Sequence, residues 1–303
     1  MKKIIGLFPG QGSQKVGMGK QLWDSSEIAK RYFAIADEVL GFSLSKICFE
    51  GPAENLTATA VAQPAILTVS TICYEIFRAS SPSLTLAAAA GHSLGEYSAL
   101  VAAGALKFED AVLLVHKRGT YMQEAVPVGT GKMAAVLGKE VADIEATLKG
   151  VTSGVVQVAN VNAPGQVVIA GAAAAVDEAA KALGGKVIEL PVSAPFHCSL
   201  MKLAEERLAL DLAKVPLQTA KFPVYSNFST EPLTSPEAIR EALRLQVCGR
   251  VRWVESMTRA IAECAPEMAI EFGAGNVLAG LLKRISPAVA RVNVDSVESA
   301  SIT

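Results

Sequence analysis

Short apolar runs alternate with longer stretches that repeat apolar positions every three to four residues along most of the chain. The short runs predict buried β-strands, and the longer stretches predict amphipathic helices. The predicted strands are 4–8, 84–90, 222–226 and 267–272. The predicted helices include 65–79, 108–125 and 251–264. Alternation of this kind predicts an α/β domain with a mostly parallel sheet.

Residues 132–192 depart from this alternation. They read as strand, helix, two strands around an Asn-Ala-Pro-Gly turn, helix, and a last strand over 186–193. The order β-α-β-β-α-β is that of a ferredoxin-like unit. We therefore expect a small subdomain, residues 128–196, inserted into a large α/β domain formed by residues 1–127 and 197–303. A cleft between two such lobes is the expected place for a functional site.

Composition narrows the class of protein. Of 303 residues, 51% are hydrophobic and 19% are charged, which is enough apolar material for a sizeable core. The net charge of −1 argues against nucleic acid as the main partner. Five scattered cysteines without a C-x-x-C pair indicate free thiols in a reducing compartment. No apolar run reaches membrane-spanning length, so we expect a soluble, cytoplasmic protein without a membrane partner.

The stretch "GHSLG" at residues 91–95 matches G-x-S-x-G, the nucleophile elbow. In such a turn Ser93 stands between a strand and a helix, and Gly91 and Gly95 are small enough to avoid a clash. The positive end of the helix dipole favours negative charge developing there, and the amide of Leu94 could donate to an oxyanion. A small-residue packing turn is the alternative.

Three histidines are available as a base for Ser93. His92 is adjacent to the serine, but neighbouring side chains on a strand point to opposite faces, which argues against it. His116 lies inside a predicted helix and reads as a helix-face residue. Elimination leaves His197, in a loop facing the proposed cleft, as the general base, with a loop or capping histidine as the alternative. Its neighbour Cys198 has no catalytic signature around it and reads as a packing residue.

The glycine-rich stretch "FPGQGSQKVGMG" follows the first predicted strand. It fits neither G-x-G-x-x-G nor the P-loop, so a nucleotide-binding interpretation fails. A tight turn here can supply a second oxyanion donor, for which Gln11 is the candidate; an ordinary strand–helix loop is equally compatible.

Arg118 falls on the apolar stripe of its predicted helix, one turn after Leu114 and one turn before Met122. An unpaired guanidinium is costly to bury. It must meet an anion, which is either an internal Asp or Glu or the carboxylate of a ligand.

Six segments in order along the chain carry a family resemblance. They are "GQGSQ", "GHSLGE", "RGTYMQEAVPVGTGKMAAVLG", "NAPGQVVIAG", "PVSAPFHCSLM" and "EFGAGNVLAGLLKRI". Together they resemble the malonyl-CoA:acyl carrier protein transacylases of bacterial-type fatty acid synthesis, over nearly the whole chain.

The resemblance implies an α/β-hydrolase-like core with a ferredoxin-like insertion. It implies that Ser93 is the acyl-accepting nucleophile and His197 its base, with Gln11 and Leu94 at the oxyanion-hole positions. In the substrate-binding set, Arg118 matches the arginine that grips the malonyl carboxylate. Gln246 matches the position whose backbone orients the histidine.

The resemblance also implies the reaction: a malonyl group passes from malonyl-CoA to the phosphopantetheine thiol of holo acyl carrier protein through a malonyl-serine, with no cofactor and no metal. Leu94 and Phe196 are similar to malonyl-selecting members. Arg250 and Ala274 depart from prolines that are usual in the family. Asn160 and Asn162 either line the cleft or only build the hairpin turn.

Two other functions remain open on the residues. A hydrolase of the esterase or thioesterase type has the same elbow, but it normally has an acid to orient its histidine and has no use for an inward arginine. A carrier-protein-binding module with a degenerate site would not need Ser93, His197 and Arg118 together.

Overall fold

The computed structural model describes residues 2–192 and 194–302. The strands are β1 (Ile4–Phe8), β2 (Leu86–Gly91), β3 (Gly131–Leu137), β4 (Val156–Ala163), β5 (Gln166–Ala172), β6 (Lys186–Glu189), β7 (Val224–Tyr225), β8 (Pro232–Leu233), β9 (Met268–Phe272) and β10 (Ala290–Val294). The helices are α1 (Lys20–Ser25), α2 (Glu27–Leu40), α3 (Leu44–Glu50), α4 (Ala53–Thr57), α5 (Thr59–Ser80), α6 (Gly95–Ala102), α7 (Phe108–Glu124), α8 (Val141–Leu148), α9 (Ala173–Leu183), α10 (Lys202–Leu212), α11 (Pro236–Gln246), α12 (Trp253–Cys264) and α13 (Val277–Ile285).

The larger sheet has the strand order β10-β9-β1-β2-β7-β8 within the described residues. Its pairs are parallel except for the short antiparallel pair of β7 and β8. The central strand β1 is buried along its whole length, as expected for a parallel strand covered on both faces. Phe8 pairs with Gly91, so β1 and β2 end at the same edge. The glycine-rich loop and the serine turn therefore begin side by side.

The smaller sheet is antiparallel, with the order β4-β5-β3-β6. Its elements follow the chain as β3-α8-β4-β5-α9-β6, which is the order predicted from the sequence. Apolar side chains of α8 and α9, such as Ile144 and Val176, pack with Val158 and Ile169 of the sheet into a separate core. The structure is therefore α/β, with a mostly parallel sheet and a distinct antiparallel one.

Backbone hydrogen bonds join the loop between α11 and α12 to strand β4 of the smaller sheet. The amide of Val251, just before α12, donates to Ala159 O over 2.8 Å, and the amide of Val161 donates to Val251 O over 2.9 Å. Arg250 adds contacts from the same loop, to Val158 O and to the carboxylate of Glu145 on α8. The loop that follows α11 is thus bonded to the smaller sheet.

Helix α5 begins at Thr59, earlier than the predicted start at residue 65, and it contains Pro64. A proline has no N–H for the carbonyl four residues before it, which here is Ala60 O. His116 on α7 fills this gap, because its Nδ1 lies 2.7 Å from Ala60 O and can donate to it. His116 is thus a helix-face residue, as predicted, and its ring also has a defined hydrogen-bond partner. By length and composition α5 could cross a membrane, but 83% of its apolar window is buried inside the fold.

Other element bounds differ from the predictions. Strand β6 ends at Glu189 instead of residue 193, and Ser193 lies outside the described residues. The predicted strand 222–226 shortens to the two residues of β7. Strand β10 was not predicted, because it lies at the sheet edge and its half-exposed residues carry no strong apolar run.

Candidate active site

Ser93 occupies a sharp turn between β2 and α6, with φ of +52°. A Cβ added to Gly91 would lie 1.9 Å from the carbonyl carbon of Gly95, and one added to Gly95 would lie 1.9 Å from Phe8 O. Real Cβ atoms do not approach other atoms so closely, so both positions require glycine. The steric demand that the motif predicted is present. A left-handed serine costs on the order of 1–3 kcal/mol and persists only where its surroundings hold it.

The side chain of Asn227, two residues after β7, hydrogen-bonds to this turn at two points. Its Oδ1 accepts from the Ser93 amide over 2.6 Å, and its Nδ2 donates to Gly91 O over 2.7 Å. Asn227 is fully buried. This residue was not predicted from the sequence; an asparagine directly after a buried strand was the available signal.

His197 faces the nucleophile. Its Nε2 lies 2.7 Å from Ser93 Oγ, and its Nδ1 lies 3.0 Å from the backbone carbonyl of Gln246. A carbonyl only accepts, so Nδ1 carries the proton and Nε2 accepts the hydrogen bond from the serine hydroxyl. In the described residues, neither ring nitrogen has a carboxylate as its partner. The hydrolase-type acid is replaced here by a backbone carbonyl.

Burial, and then the positive charge of Arg118, lower the pKa of His197 from 6.5 to about 3. The imidazole is therefore neutral at physiological pH and free to accept a proton. Its backbone is also left-handed, with φ of +59°. The adjacent His92 is turned away from the serine, because its Nε2 lies 2.8 Å from Asn162 Oδ1. The structure therefore brings His197, and not His92, to the serine hydroxyl.

Arg118 enters the same site from α7 and is 2% exposed. Its Nη1 donates to Gln63 Oε1 over 2.8 Å, and its Nη2 donates to Gln246 Oε1 over 2.9 Å and to Ser93 Oγ over 3.1 Å. Its guanidinium carbon lies 5.5 Å from the ring centroid of Tyr97. No Asp or Glu of the described chain forms a salt bridge with it. Of the two anions that the sequence left open, an internal one therefore makes no direct pair with Arg118.

Two glutamine side chains that hold Arg118 were not predicted in this role. Gln63 lies inside the apolar helix α5 and is 1% exposed, and Gln246 is fully buried at the end of α11. The sequence assigned only the Gln246 backbone to the site. A glutamine on an apolar helix face was the signal for Gln63.

The two proposed oxyanion donors lie next to each other at the sheet edge. Gly10 passes so close to the serine turn that an added Cβ would lie 2.4 Å from His92 O, which places Gln11 beside Ser93. Within the described residues, neither the Gln11 amide nor the Leu94 amide donates to a protein acceptor. Both residues line the cavity, so the amides are available to a ligand.

A cavity of about 450 Å³ opens in front of Ser93, between the loops that follow β1 and β2 and the smaller sheet. Asn160 and Asn162 of β4 line it, which resolves their two alternatives in favour of the cleft. Residues lining it from the smaller sheet and its connections also include Met133, Val168, Leu190, Pro191, Val192 and Phe196. A cavity of this volume can hold a small-molecule ligand.

The other residues singled out in the sequence have structural partners. The Cys198 thiol donates to Pro195 O over 3.0 Å, and burial raises its pKa to about 11, in keeping with a packing residue. Ala274 is buried away from this cavity, and Arg250 is bonded to the smaller sheet. No cluster of His, Cys, Asp or Glu suited to a metal is present in residues 2–192 and 194–302.

The chain is similar to known proteins in both sequence and structure. Residues 6–297 match the acyl transferase domain family. The malonyl CoA-acyl carrier protein transacylase of Bacillus subtilis strain 168 is 47% identical over 310 residues, covering 100% of this chain and 96% of the relative. The Escherichia coli K12 protein of the same name is 45% identical over 290 residues, covering 94% and 93%.

Solved structures agree with the sequence relatives. The Coxiella burnetii malonyl CoA-acyl carrier protein transacylase superposes with a TM-score of 0.95 at 40% identity, covering 99% of this chain and 96% of that one. A malonyl-transacylase solved in complex with a type II polyketide synthase acyl-carrier protein gives a TM-score of 0.95 at 39% identity, covering 98% and 97%.

Proposed function

The chain belongs to the acyl transferase domain family, and from this premise we propose that it moves a malonyl group from malonyl-CoA to the phosphopantetheine thiol of acyl carrier protein. Near-full-length relatives named for this reaction support the assignment. The structural neighbour solved with an acyl-carrier protein supports the choice of acceptor. The protein is an acyltransferase that works through an acyl-serine, in two half-reactions.

In the first half-reaction, Ser93 Oγ bonds to the thioester carbonyl carbon while its proton passes to His197 Nε2. The carbonyl π electrons move to oxygen, and the amides of Gln11 and Leu94 stabilise the resulting oxyanion. The carbonyl then re-forms, the C–S bond breaks, and the coenzyme A sulfur leaves with the proton that His197 held. The product is a malonyl ester on Ser93.

The second half-reaction reverses these roles. The phosphopantetheine thiol gives its proton to His197, and its sulfur attacks the ester carbonyl. The oxyanion forms on the same two amides, and Ser93 Oγ leaves with the proton from His197. The serine is regenerated and the carrier holds the malonyl thioester.

The observation that carries the malonyl assignment is a buried arginine, Arg118, beside the nucleophile, which pairs directly with no carboxylate among the residues that the structure describes. A malonyl group places a carboxylate one carbon from its thioester carbonyl, so both groups can be engaged at once. A guanidinium–carboxylate pair in a dry cleft is a strong, directional contact. It would also weaken the positive field that lowers the pKa of His197, so a bound malonyl group makes its own base stronger.

The remaining parts of the assignment concern architecture and location. We assign residues 1–127 and 197–303 to a large domain with an α/β-hydrolase-like core, and residues 128–196 to a ferredoxin-like subdomain. The strand order of the smaller sheet supports the second description. We place the protein in the cytoplasm, where its family's substrates would be met.

Intact-mass measurement after incubation with malonyl-CoA tests the function. We expect a malonyl adduct that is absent from Ser93→Ala and that moves to holo acyl carrier protein when the carrier is added. Release of free malonate without a lasting adduct would point to a hydrolase. Carrier binding without any adduct would point to a binding module.

A further inference from the structure

Glu96, in the first turn of α6, is a fully buried carboxylate that the proposed reaction does not use. Its Oε2 accepts from the Asn227 amide over 3.0 Å and from Gln246 Nε2 over 2.9 Å. Its Oε1 has no hydrogen-bond partner among the described residues. Burying a carboxylate with one unpartnered oxygen costs folding free energy. The position of Glu96 beside the nucleophile therefore indicates a functional role.

The Gln246 carboxamide stands between this carboxylate and Arg118. Its Nε2 donates to Glu96 Oε2, and its Oε1 accepts from Arg118 Nη2. The direct hydrogen-bond acceptors of the guanidinium, on Gln63, Gln246 and Ser93, are all neutral. Glu96 is nevertheless close enough for the charges of Arg118 and Glu96 to act on each other. The cation and the anion are one amide group apart.

We propose that Glu96 is the counter-charge of Arg118, held one carboxamide away, and that it sets how strongly the site attracts an acyl carboxylate. Direct pairing would occupy the guanidinium edge that a substrate needs. Separation keeps that edge open, and the negative charge moderates the attraction. This inference rests on the proposed function, since it concerns substrates with a carboxylate. Glu96 is fully buried and does not line the cavity, so it acts on specificity through Gln246 and Arg118 and is not a catalytic residue.

A bound malonyl group brings a second negative charge to the Arg118 guanidinium. Repulsion between that carboxylate and Glu96 is relieved when Glu96 takes up a proton. Burial raises the pKa of Glu96 to about 7, against the lowering effect of the Asn227 and Gln246 donors and of Arg118. Tyr97, next to it on α6, stays neutral because burial raises its pKa to about 12. The balance of charge around Glu96 is therefore set by Arg118 and by the substrate.

Glu96→Gln separates charge from hydrogen bonding. Its Oε1 can accept from Asn227 and Gln246 as the carboxylate does, but the negative charge is gone. We expect the ratio of kcat/KM for malonyl-CoA over acetyl-CoA to rise at pH 8.5 by on the order of tenfold. At pH 5.5, where wild-type Glu96 is protonated, the two proteins should agree within about twofold. Both substrates carry the same coenzyme A, so its own ionisation cancels in the ratio.

Glu271→Gln is the matched control. Glu271 of β9 is also fully buried, and its carboxylate accepts from two backbone amides at the start of α13, those of Leu278 and Ala279. Its replacement should leave the ratio unchanged at both pH values. An unchanged or lower ratio for folded Glu96→Gln at pH 8.5, or an equal rise at both pH values, would overturn the proposal.

A second measurement does not depend on how Glu96→Gln folds. Ser93→Ala is titrated with malonyl-CoA and with acetyl-CoA by calorimetry at pH 7, in two buffers of different ionisation enthalpy. We expect the protein to take up a fraction of a proton more when it binds malonyl-CoA than when it binds acetyl-CoA, because only malonyl-CoA favours protonation of Glu96. Equal proton uptake for the two would refute the proposal. If wild-type protein instead forms no malonyl-serine, the proposed function itself fails, whatever these ratios show.

Discussion

Arg118 Nη2 lies 3.1 Å from Ser93 Oγ, so the buried cation and the nucleophile are in direct contact. The hydroxyl oxygen accepts from Arg118 while its proton points to His197. One oxygen thus joins the group proposed to choose the substrate to the group proposed to activate the serine. Substitutions around this oxygen separate the two roles.

Ser93→Ala should abolish both half-reactions in a folded protein, because the acyl ester cannot form. His197→Ala should be nearly as severe, with a loss on the order of 10⁴-fold, since nucleophile and base work as a unit. His92→Ala is the control, because its ring bonds to Asn162 and not to the serine. Single-turnover malonylation is the measurement. Greater damage from His92→Ala than from His197→Ala would contradict the assignment.

Arg118→Ala should change the choice of substrate. Removing one partner of a buried ion pair costs about 3–5 kcal/mol, because the other charge remains buried. At about 1.4 kcal/mol per factor of ten, malonyl transfer should fall by roughly two to three and a half orders of magnitude. Acetyl-CoA brings no carboxylate and should be used at least as well. An equal proportional loss of kcat/KM for both substrates would make Arg118 a structural residue.

The lowered pKa of His197 should appear in the stability of the protein. A histidine with a folded-state pKa of about 3 and an unfolded value of 6.5 favours folding above pH 6.5, and this contribution is lost as the pH falls toward 3. From pH 7 to pH 5 wild-type protein should lose about 2 kcal/mol of unfolding free energy relative to His197→Ala. Urea unfolding of both proteins at the two pH values measures this. Parallel pH profiles would mean that the ring is not held neutral.

His116→Ala should destabilise the fold by about 1 kcal/mol without a comparable loss of transfer activity. The reason is the carbonyl of Ala60, which Pro64 leaves without a helical donor and which His116 supplies. Thermal or urea unfolding detects the change. In a Pro64→Ala background the helix regains its own donor, so the cost of His116→Ala should shrink. The same cost in both backgrounds would reject this explanation.

Gly95→Ala should prevent folding or cost more than about 3 kcal/mol, because the new Cβ would lie 1.9 Å from Phe8 O. Gly280→Ala is the matched control: this helical glycine has no atom within 4 Å of an added Cβ and should be stabilised by up to about 1 kcal/mol. Expression level and thermal unfolding of both variants give the comparison. Normal stability of Gly95→Ala would show that the end of β1 and the serine turn can move apart at little cost in free energy.

Much of the site could be predicted because its key residues sit in local patterns. Gly91 and Gly95 around Ser93 predicted a turn too tight for any side chain at those positions, and the structure has such a turn. Arg118 on an apolar helical stripe predicted a buried cation that must meet an anion. Both signals lie within one turn or one helix, which is the range over which sequence spacing fixes geometry.

The missed residues act across long sequence separations. Asn227 reaches Ser93 over 134 positions, and Gln63 reaches Arg118 over 55. No local periodicity encodes such pairs, since they depend on which strands and helices become neighbours. The side chain of Gln246 was missed for the same reason, although its backbone position was expected. Strand β10 was missed because edge strands carry weak apolar patterns.

The bonds between Val251 and β4 bear on how this protein could be rebuilt. The segment that ends α11 gives His197 its carbonyl partner and, five residues later, pairs with Ala159 and Val161. In a chimaera that takes its smaller sheet from a relative, the new β4 would therefore pair poorly with the segment that holds His197, even with every catalytic residue unchanged. The unit to transplant is the smaller sheet together with residues 246–252, two pieces of chain that are distant in sequence and must travel as one.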